Sequence, residues 1–186
     1  MALTKTPVCD FGKKAEDFKL KSIENKIISL NDVKGEKATL IMFICNHCPY
    51  VKAIIRDLAK ECNELKKDGI NSIAIMSNDT ENYPEDSFDN MKIFAKANNF
   101  GEINYLIDET QEIAKKYGAV CTPDFFGFNK ELKLQYRGRF RELKDLKPIS
   151  SGDSDLKIAM KMISKTQDGP KEQIPSMGCN IKWFNS

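Results

Sequence analysis

The hydrophobic positions of the chain divide it into strands and helices that alternate. An uninterrupted apolar, β-branched run at residues 38–44 is typical of a strand that is buried on both faces of a sheet. Directly after it, apolar residues recur three or four apart from Val51 to Leu65, which predicts one buried stripe of a long helix that begins near Asn46 and ends at Gly69. This strand and helix form the centre of the predicted fold.

Other periodic segments surround this unit. They predict a β-hairpin at 17–22 and 26–30, a turn at 31–35, strands at 70–76 and 105–107, helices at 85–98, 109–117 and 156–163, and paired strands at 120–128 and 133–136. The order ββ-β-α-β-α-β-α-β-β-α predicts an α/β fold with a mixed central β-sheet, helices on both of its faces and an N-terminal β-hairpin.

Length and composition fit a single domain over residues 1–186. Residues 1–14 are expected to form an N-terminal arm and residues 167–186 an extended C-terminal tail, and the 41% hydrophobic content suffices for an ordinary core. The net charge is only +2 and both signs are interleaved, which argues against a nucleic-acid or membrane partner. The first residues lack the apolar region of a signal peptide, so we expect a cytoplasmic protein.

Two of the six cysteines stand in the motif Cys45-Asn46-His47-Cys48. Cysteines at this spacing serve either as a redox dithiol or as half of a metal site. The motif lies where the predicted buried strand meets the predicted long helix, and we expect both sulfurs to be close together with one of them exposed. The free N–H groups and dipole of the helix N-terminus are expected to stabilise a thiolate on Cys45, with a pKa below the ordinary value of about 8.5.

His47 is the only histidine of the chain. Its place between the two cysteines allows it to add positive charge or a hydrogen bond to the thiolate, which favours the reduced form.

These features, together with the dipeptide Thr122-Pro123, resemble the thioredoxin superfamily. The N-terminal hairpin, the segments T-P-D-F-F and Y-R-G-R and the tail M-G-C-N-I-K-W resemble its peroxiredoxin-like, AhpC/TSA-type branch. The resemblance implies a thioredoxin-like fold in which Cys45 attacks and Cys48 resolves. It also implies that Pro123 is a cis proline and that the backbone of Thr122 binds an extended substrate strand beside the dithiol.

The chain also differs from these families at defined positions. Peroxiredoxins carry a Pro-x-x-x-Thr/Ser-x-x-Cys site, and with Cys48 on its cysteine, Ile41 stands at the proline and Cys45 at the threonine. We therefore expect little peroxide turnover. Thioredoxins carry a tryptophan and a buried aspartate where this chain has Ile44 and Thr39.

Three further residues are possible accessories to the dithiol: Cys179, Cys121 and Arg137. Cys179 could act as an extra resolving thiol. We expect it instead only to pack, because the aromatic residues that follow it should hold the tail against the domain. Strand alternation points Cys121 away from the face that Thr122 uses. Arg137 is expected on a solvated edge strand rather than beside the thiolate.

The leading hypothesis is a thiol-disulfide oxidoreductase that forms a mixed disulfide and then a Cys45–Cys48 bridge, without a cofactor. Its expected partners are protein or small-molecule disulfides and an electron-donor reductase. One alternative is an antioxidant thiol peroxidase of peroxiredoxin type. Another is a zinc or copper carrier that uses Cys45, His47 and Cys48, although a complete site needs further ligands.

Overall fold

The structure is a computed structural model that describes residues 3–185. Its helices are α1 (Leu30–Val33), α2 (Pro49–Lys66), α3 (Phe88–Ala97), α4 (Glu112–Tyr117) and α5 (Asp155–Thr166). Its strands are β1 (Leu3–Lys5), β2 (Lys19–Ser22), β3 (Ile27–Ser29), β4 (Ala38–Phe43), β5 (Ile70–Met76), β6 (Asn104–Ile107), β7 (Cys121–Thr122), β8 (Asp124–Asn129), β9 (Leu134–Tyr136), β10 (Leu143–Lys144), β11 (Lys147–Pro148) and β12 (Met177–Asn180). None of the helices within the described residues is long and apolar enough to cross a lipid bilayer.

A seven-stranded sheet with the order β3-β2-β6-β5-β4-β8-β9 forms the middle of the protein. Strands β4, β5 and β6 run parallel, whereas β8 and β9 on one side and β2 and β3 on the other pair antiparallel. The predicted mixed sheet and both predicted hairpins are thereby confirmed.

Alternation along the central strand β4 divides the core into two layers. Leu40 and Met42 pack on one face of the sheet with side chains of α2, α3 and α5. Ile41 and Phe43 pack on the opposite face with side chains of α1 and α4. A strand covered on both sides has few polar positions, which is why residues 38–44 are apolar apart from Thr39.

Several predicted boundaries differ from those of the structure, and side-chain caps set the starts of α1 and α3. Helix α2 begins at Pro49 rather than near Asn46. The helix predicted at 85–98 is a 3₁₀ turn followed by α3, whose first turn is capped by the Ser87 hydroxyl. The turn predicted at 31–35 contains the short helix α1, which Ser29 and Asp32 stabilise as a capping box.

The arm and the tail, predicted without strands, form a second sheet with the order β1-β12-β7. Strand β12 lies antiparallel to both neighbours, with Cys179 opposite Thr122 of β7. Gly178 permits this close approach, because a Cβ there would lie 2.0 Å from the Thr122 carbonyl oxygen. A small hairpin formed by β10 and β11 was also not predicted.

We predict that Gly178→Ala displaces β12 from β7. Relieving the overlap with backbone atoms should lower the free energy of unfolding by about 1–3 kcal/mol and speed amide hydrogen exchange in β12. Gly12→Ala is the control for β12 protection, because a Cβ at Gly12 would meet open space, although its positive φ, which Gly178 does not share, disfavours alanine. Unchanged β12 protection in the Gly178 variant would contradict the proposed close fit.

Candidate active site

Both cysteines of the motif lie at the junction of β4 and α2. Cys45 follows Ile44 after the end of β4, and Cys48 is the N-cap residue of α2, with Pro49 at the first helical position. Cys45 is 1% exposed and Cys48 is 0% exposed. The expectation that one sulfur is exposed is therefore wrong, because other parts of the chain cover the helix N-terminus.

Thr122 contacts both sulfurs from the opposite side. Its hydroxyl lies 3.3 Å from Cys45 Sγ, and its carbonyl oxygen accepts a hydrogen bond from Cys48 Sγ at 3.2 Å. The Thr122–Pro123 peptide bond is cis, as the resemblance implied. The predicted dithiol and the predicted Thr-Pro dipeptide thus meet in one place.

A third sulfur belongs to the same cluster. Cys179 lies directly opposite Thr122 in the β7–β12 pair, so both side chains project from the same face, toward the dithiol. The Cys179 side chain also lies close enough to Cys48 for each sulfur to affect the pKa of the other. Cys179 is buried, as expected for packing, but it packs against the dithiol.

The contacts favour negative charge on Cys48 rather than on Cys45. Hydrogen bonding by the Cys45 thiol lowers the pKa of Cys48, burial opposes this, and the N–H groups of Val51 and Cys179 lower it further. The pKa of Cys45 is raised by the hydrogen bond with Cys48, by burial and by the charge of Asp86. The predicted low pKa of Cys45 is therefore wrong.

The neutral and ionised forms of Cys48 make different hydrogen bonds. The thiol donates to the Thr122 carbonyl and makes no capping hydrogen bond, so this contact favours the protonated form. The thiolate is stabilised instead by the Val51 N–H, which is the N3 amide of α2, and by the donors on Cys45 and Cys179. Because these donors outnumber the one lost hydrogen bond, we assign the lower pKa to Cys48.

A buried carboxylate organises the residues between the two cysteines. Asp86 Oδ1 accepts hydrogen bonds from the backbone N–H groups of Asn46 at 2.8 Å and His47 at 3.3 Å. Asp86 Oδ2 accepts from Asn78 Nδ2 at 2.8 Å and pairs with His47 Nδ1 at 2.7 Å. Because Asp86 binds these two amides, the helix starts only after them.

His47 is half-buried and stacks on the Tyr83 ring at 5.5 Å. The hydrogen bond to Asp86 raises the pKa of His47, against the opposing effect of burial, and a charge on Cys48 raises it further. By reciprocity, a protonated His47 favours the Cys48 thiolate. His47 therefore takes the electrostatic role expected of it, but toward Cys48.

Asp86 was not among the predicted site residues. The position of the thioredoxin aspartate is occupied by Thr39, whose hydroxyl accepts a hydrogen bond from Gly35 N–H at 2.9 Å. The buried carboxylate near this dithiol comes instead from the 3₁₀ turn that precedes α3. Its only sequence signal is an acidic residue at the start of a predicted amphipathic helix, which does not indicate burial.

Cys121 and Arg137 do not reach the sulfurs by hydrogen bonds. The Cys121 thiol donates to the Pro123 carbonyl at 3.6 Å, and burial raises its pKa. Arg137 is buried rather than solvated and donates to Asp124, at 3.0 and 3.3 Å, and to the Gly118 carbonyl at 2.7 Å. Its guanidinium is held by the carboxylate because a buried charge needs a partner.

Cys45, His47 and Asp86 offer ligand atoms within 4.8 Å of one another, so a metal ion could be held there. The predicted metal set of Cys45, His47 and Cys48 differs from this group by Asp86. Each carboxylate oxygen of Asp86 already has two hydrogen-bond partners, and one of these partners is His47 Nδ1. Metal binding would have to replace this network, so the arrangement suits a dithiol better than a metal centre.

We predict that Asp86→Asn lowers the pKa of His47 toward the ordinary value of about 6.5. In the wild-type protein the pKa of His47 is raised by folding, so its pair with Asp86 stabilises the fold fully at pH values below the pKa of His47 in the unfolded chain. This contribution is lost as the pH rises through the pKa of His47 in the folded protein. Proton NMR of the single imidazole measures the titration directly.

Asp89→Asn is the matched control, since Asp89 is exposed and pairs with Lys92. It should leave the His47 titration unchanged. An identical His47 midpoint in wild type and Asp86→Asn would remove Asp86 from the electrostatics of the site.

Comparison with known proteins agrees with this geometry. The profile of the AhpC/TSA family matches residues 11–137. No curated protein matches the chain. Two solved structures are similar over nearly the full length of the chain. An uncharacterized conserved protein from Geobacillus kaustophilus has 40% identity and a TM-score of 0.94, covering 100% of this chain and 98% of that one.

The second, a hypothetical protein from Sinorhizobium meliloti 1021, has 36% identity and a TM-score of 0.90, covering 98% of this chain and 100% of that one. The thioredoxin domain of a thiol-disulfide oxidoreductase from Bacteroides vulgatus shares the fold at 20% identity and a TM-score of 0.57, covering 68% of this chain and 86% of that one. The chain therefore belongs to the AhpC/TSA family and is a peroxiredoxin-like member of the thioredoxin superfamily.

Proposed function

We propose that the protein is a thiol-disulfide oxidoreductase that works through a Cys45–Cys48 dithiol and disulfide. The observation that carries the proposal is the pair of sulfurs at the N-terminus of α2, both of which contact Thr122. The lowered pKa of Cys48 supports it. A thiolate next to a second thiol is what disulfide exchange requires. The thioredoxin-like fold and the AhpC/TSA family membership are consistent with such redox chemistry.

In the proposed reaction, the Cys48 thiolate attacks one sulfur of a substrate disulfide. The substrate S–S bond breaks, and the other substrate sulfur leaves with the electron pair and takes up a proton. Cys45 then gives up its proton and attacks Cys48 Sγ, which releases the second substrate sulfur as a thiol and forms the Cys45–Cys48 bridge. Two electrons pass to the substrate. These roles are the reverse of those that the resemblance implied.

The proposed substrate-binding surface also differs from the one that the resemblance implied. The backbone of Thr122, expected to bind a substrate strand, is already paired with β12. A cleft of about 460 Å³ opens beside Pro123 and is lined by Tyr50, Phe140, Leu146 and Met177, among others. We propose that a substrate docks in this largely apolar cleft and reaches the sulfurs when β12 shifts.

The proposed partners are protein or small-molecule disulfides and an electron-donor reductase that regenerates the dithiol. We propose that the protein works in the cytoplasm, where such reductases keep thiols reduced. The charge balance of the chain gives no reason to add a nucleic acid or a membrane to these partners.

One observation favours peroxidase activity as a second candidate. Cys48, which aligns with the catalytic cysteine of peroxiredoxins, is the sulfur that favours ionisation. A peroxidase also has to orient the peroxide. Three features argue against such an oriented peroxide: Arg137 is held by Asp124, Ile41 stands at the proline position of peroxiredoxins, and the Cys48 sulfur is buried.

We predict that hydrogen peroxide oxidises Cys48 no faster than it oxidises a small thiol of matched pKa. Stopped-flow measurement of peroxide consumption tests this. Saturable, rapid turnover that is lost in Cys48→Ser would instead establish the peroxidase.

We predict that oxidation of the wild-type protein removes the Cys45 and Cys48 thiols from alkylation, and that Cys48→Ser abolishes reduction of insulin disulfides. The variant lacks the attacking sulfur, so no mixed disulfide can form. Cys62→Ser is the control, since Cys62 is buried in the core and burial raises its pKa to about 12. Insulin reduction by Cys48→Ser at the wild-type rate would contradict the proposed function.

A further inference from the structure

Strand β12 takes the place beside cis-Pro123 where the resemblance puts a substrate strand. It adds to the free edge of β7 by antiparallel pairing, which is how an extended peptide binds to an exposed strand. The Ser176 hydroxyl donates to the Pro123 carbonyl at 2.8 Å just before the strand. The chain thus presents Cys179 to its own dithiol as a bound peptide would present a cysteine.

Hydrogen bonds hold this strand in place at both ends. Before β12, the backbone N–H of Ser176 donates to the Thr6 hydroxyl at 3.0 Å. After it, the Lys182 N–H donates to Asn78 Oδ1 at 2.9 Å, and Gln111 Nε2 donates to the Lys182 carbonyl at 2.8 Å. These bonds place Cys179 next to Cys48 whenever β12 is seated, so the thiol returns to the dithiol after β12 has shifted to admit a substrate.

We propose that Cys179 is a third redox-active cysteine, which competes with Cys45 for Cys48 and forms a Cys48–Cys179 disulfide. The geometry supports this assignment, because Thr122 contacts the Cys45 and Cys48 sulfurs and lies opposite Cys179 in the β7–β12 pair, so the three cysteines meet at one residue. The inference rests on the proposed function, since the oxidising equivalents come from the substrate disulfide.

The exchange balances without another reactant. In the first route, Cys179 loses its proton and attacks Cys48 Sγ of a mixed disulfide, and the substrate sulfur leaves and takes up a proton. In the second route, Cys179 attacks Cys48 Sγ of the Cys45–Cys48 bridge, and Cys45 leaves as a thiol. In the first route the substrate gains the two electrons, and in the second route one protein disulfide replaces another with no net redox change.

Oxidation of Cys48 also makes Cys179 more reactive. In the reduced protein, the pKa of Cys179 is raised by burial, then by its hydrogen bond to Cys48 and by the charge of Cys48. A disulfide at Cys48 removes the last two effects. The thiol therefore ionises more easily once Cys48 has reacted.

The test uses oxidised glutathione as the disulfide and compares Cys45→Ser with Cys45→Ser/Cys179→Ser. In the single variant, we expect the glutathione adduct on Cys48 to decay with release of glutathione and formation of a Cys48–Cys179 bridge. In the double variant, we expect the adduct to accumulate. Intact mass and peptide mapping distinguish the adduct from the bridge.

Cys45→Ser/Cys121→Ser is the matched control and should behave as the single variant, because Cys121 lies in the same strand pair but donates to Pro123. Accumulation of the adduct in both the single and the double variant would overturn the role of Cys179 and leave the proposed function intact. Absence of an adduct from both, with no bridge, would overturn the proposed function and this inference together. If serine at position 179 disturbs folding, peptide mapping of oxidised wild-type protein decides. Part of the molecules must carry Cys48–Cys179 in place of Cys45–Cys48, and the absence of this bridge would overturn the inference.

Discussion

The buried carboxylate of Asp86 determines how the rest of the site is arranged. A charge removed from water needs several hydrogen bonds, and Asp86 obtains two of them from the amides of Asn46 and His47. These two residues therefore stay outside the helix, and Cys48 becomes its N-cap. The same negative charge disfavours a second anion on Cys45. One buried group thus sets both the local backbone and the distribution of charge between the sulfurs.

The second sheet gives the site its closed character. In the arrangement that the resemblance implied, the edge beside cis-Pro123 is open to a substrate. Here β12 fills that edge, and β1 covers its other side. The covering excludes water from the sulfurs, so each hydrogen bond there has a larger effect than it would at the surface. It also places a third thiol in the cluster, which makes Cys48 the sulfur common to both disulfides in our account.

Much of the fold could be predicted from sequence, because the elements of the large sheet carry strong periodicity. The buried run at 38–44 and the apolar stripe of α2 each have one simple structural interpretation. Strands β1 and β12 have only three and four residues, and they form by pairing with each other and with β7. Segments this short carry no local pattern that predicts a strand. Even the α2 boundary depends on a distant residue, since Asp86 binds the amides that would otherwise begin the helix.

The candidate site was predictable to a similar extent. The spacing of Cys45 and Cys48 and the Thr122-Pro123 dipeptide are local features, and the structure brings them together. The thiolate was predicted on the wrong sulfur, because the helix N-terminus is the only one of its determinants that is local in sequence. Burial under β12, the donors of Cys179 and the charge of Asp86 are all long-range effects, and they decide the outcome.

The central claim is that Cys48, not Cys45, carries the thiolate near neutral pH. Carbon NMR of cysteine labelled at Cβ, recorded against pH in the reduced protein and assigned by single replacements, tests it directly. The account predicts that the Cys48 Cβ resonance titrates first, below the ordinary cysteine pKa of about 8.5, while the Cys45 resonance stays at its thiol position. Titration of Cys45 before Cys48 would contradict the account.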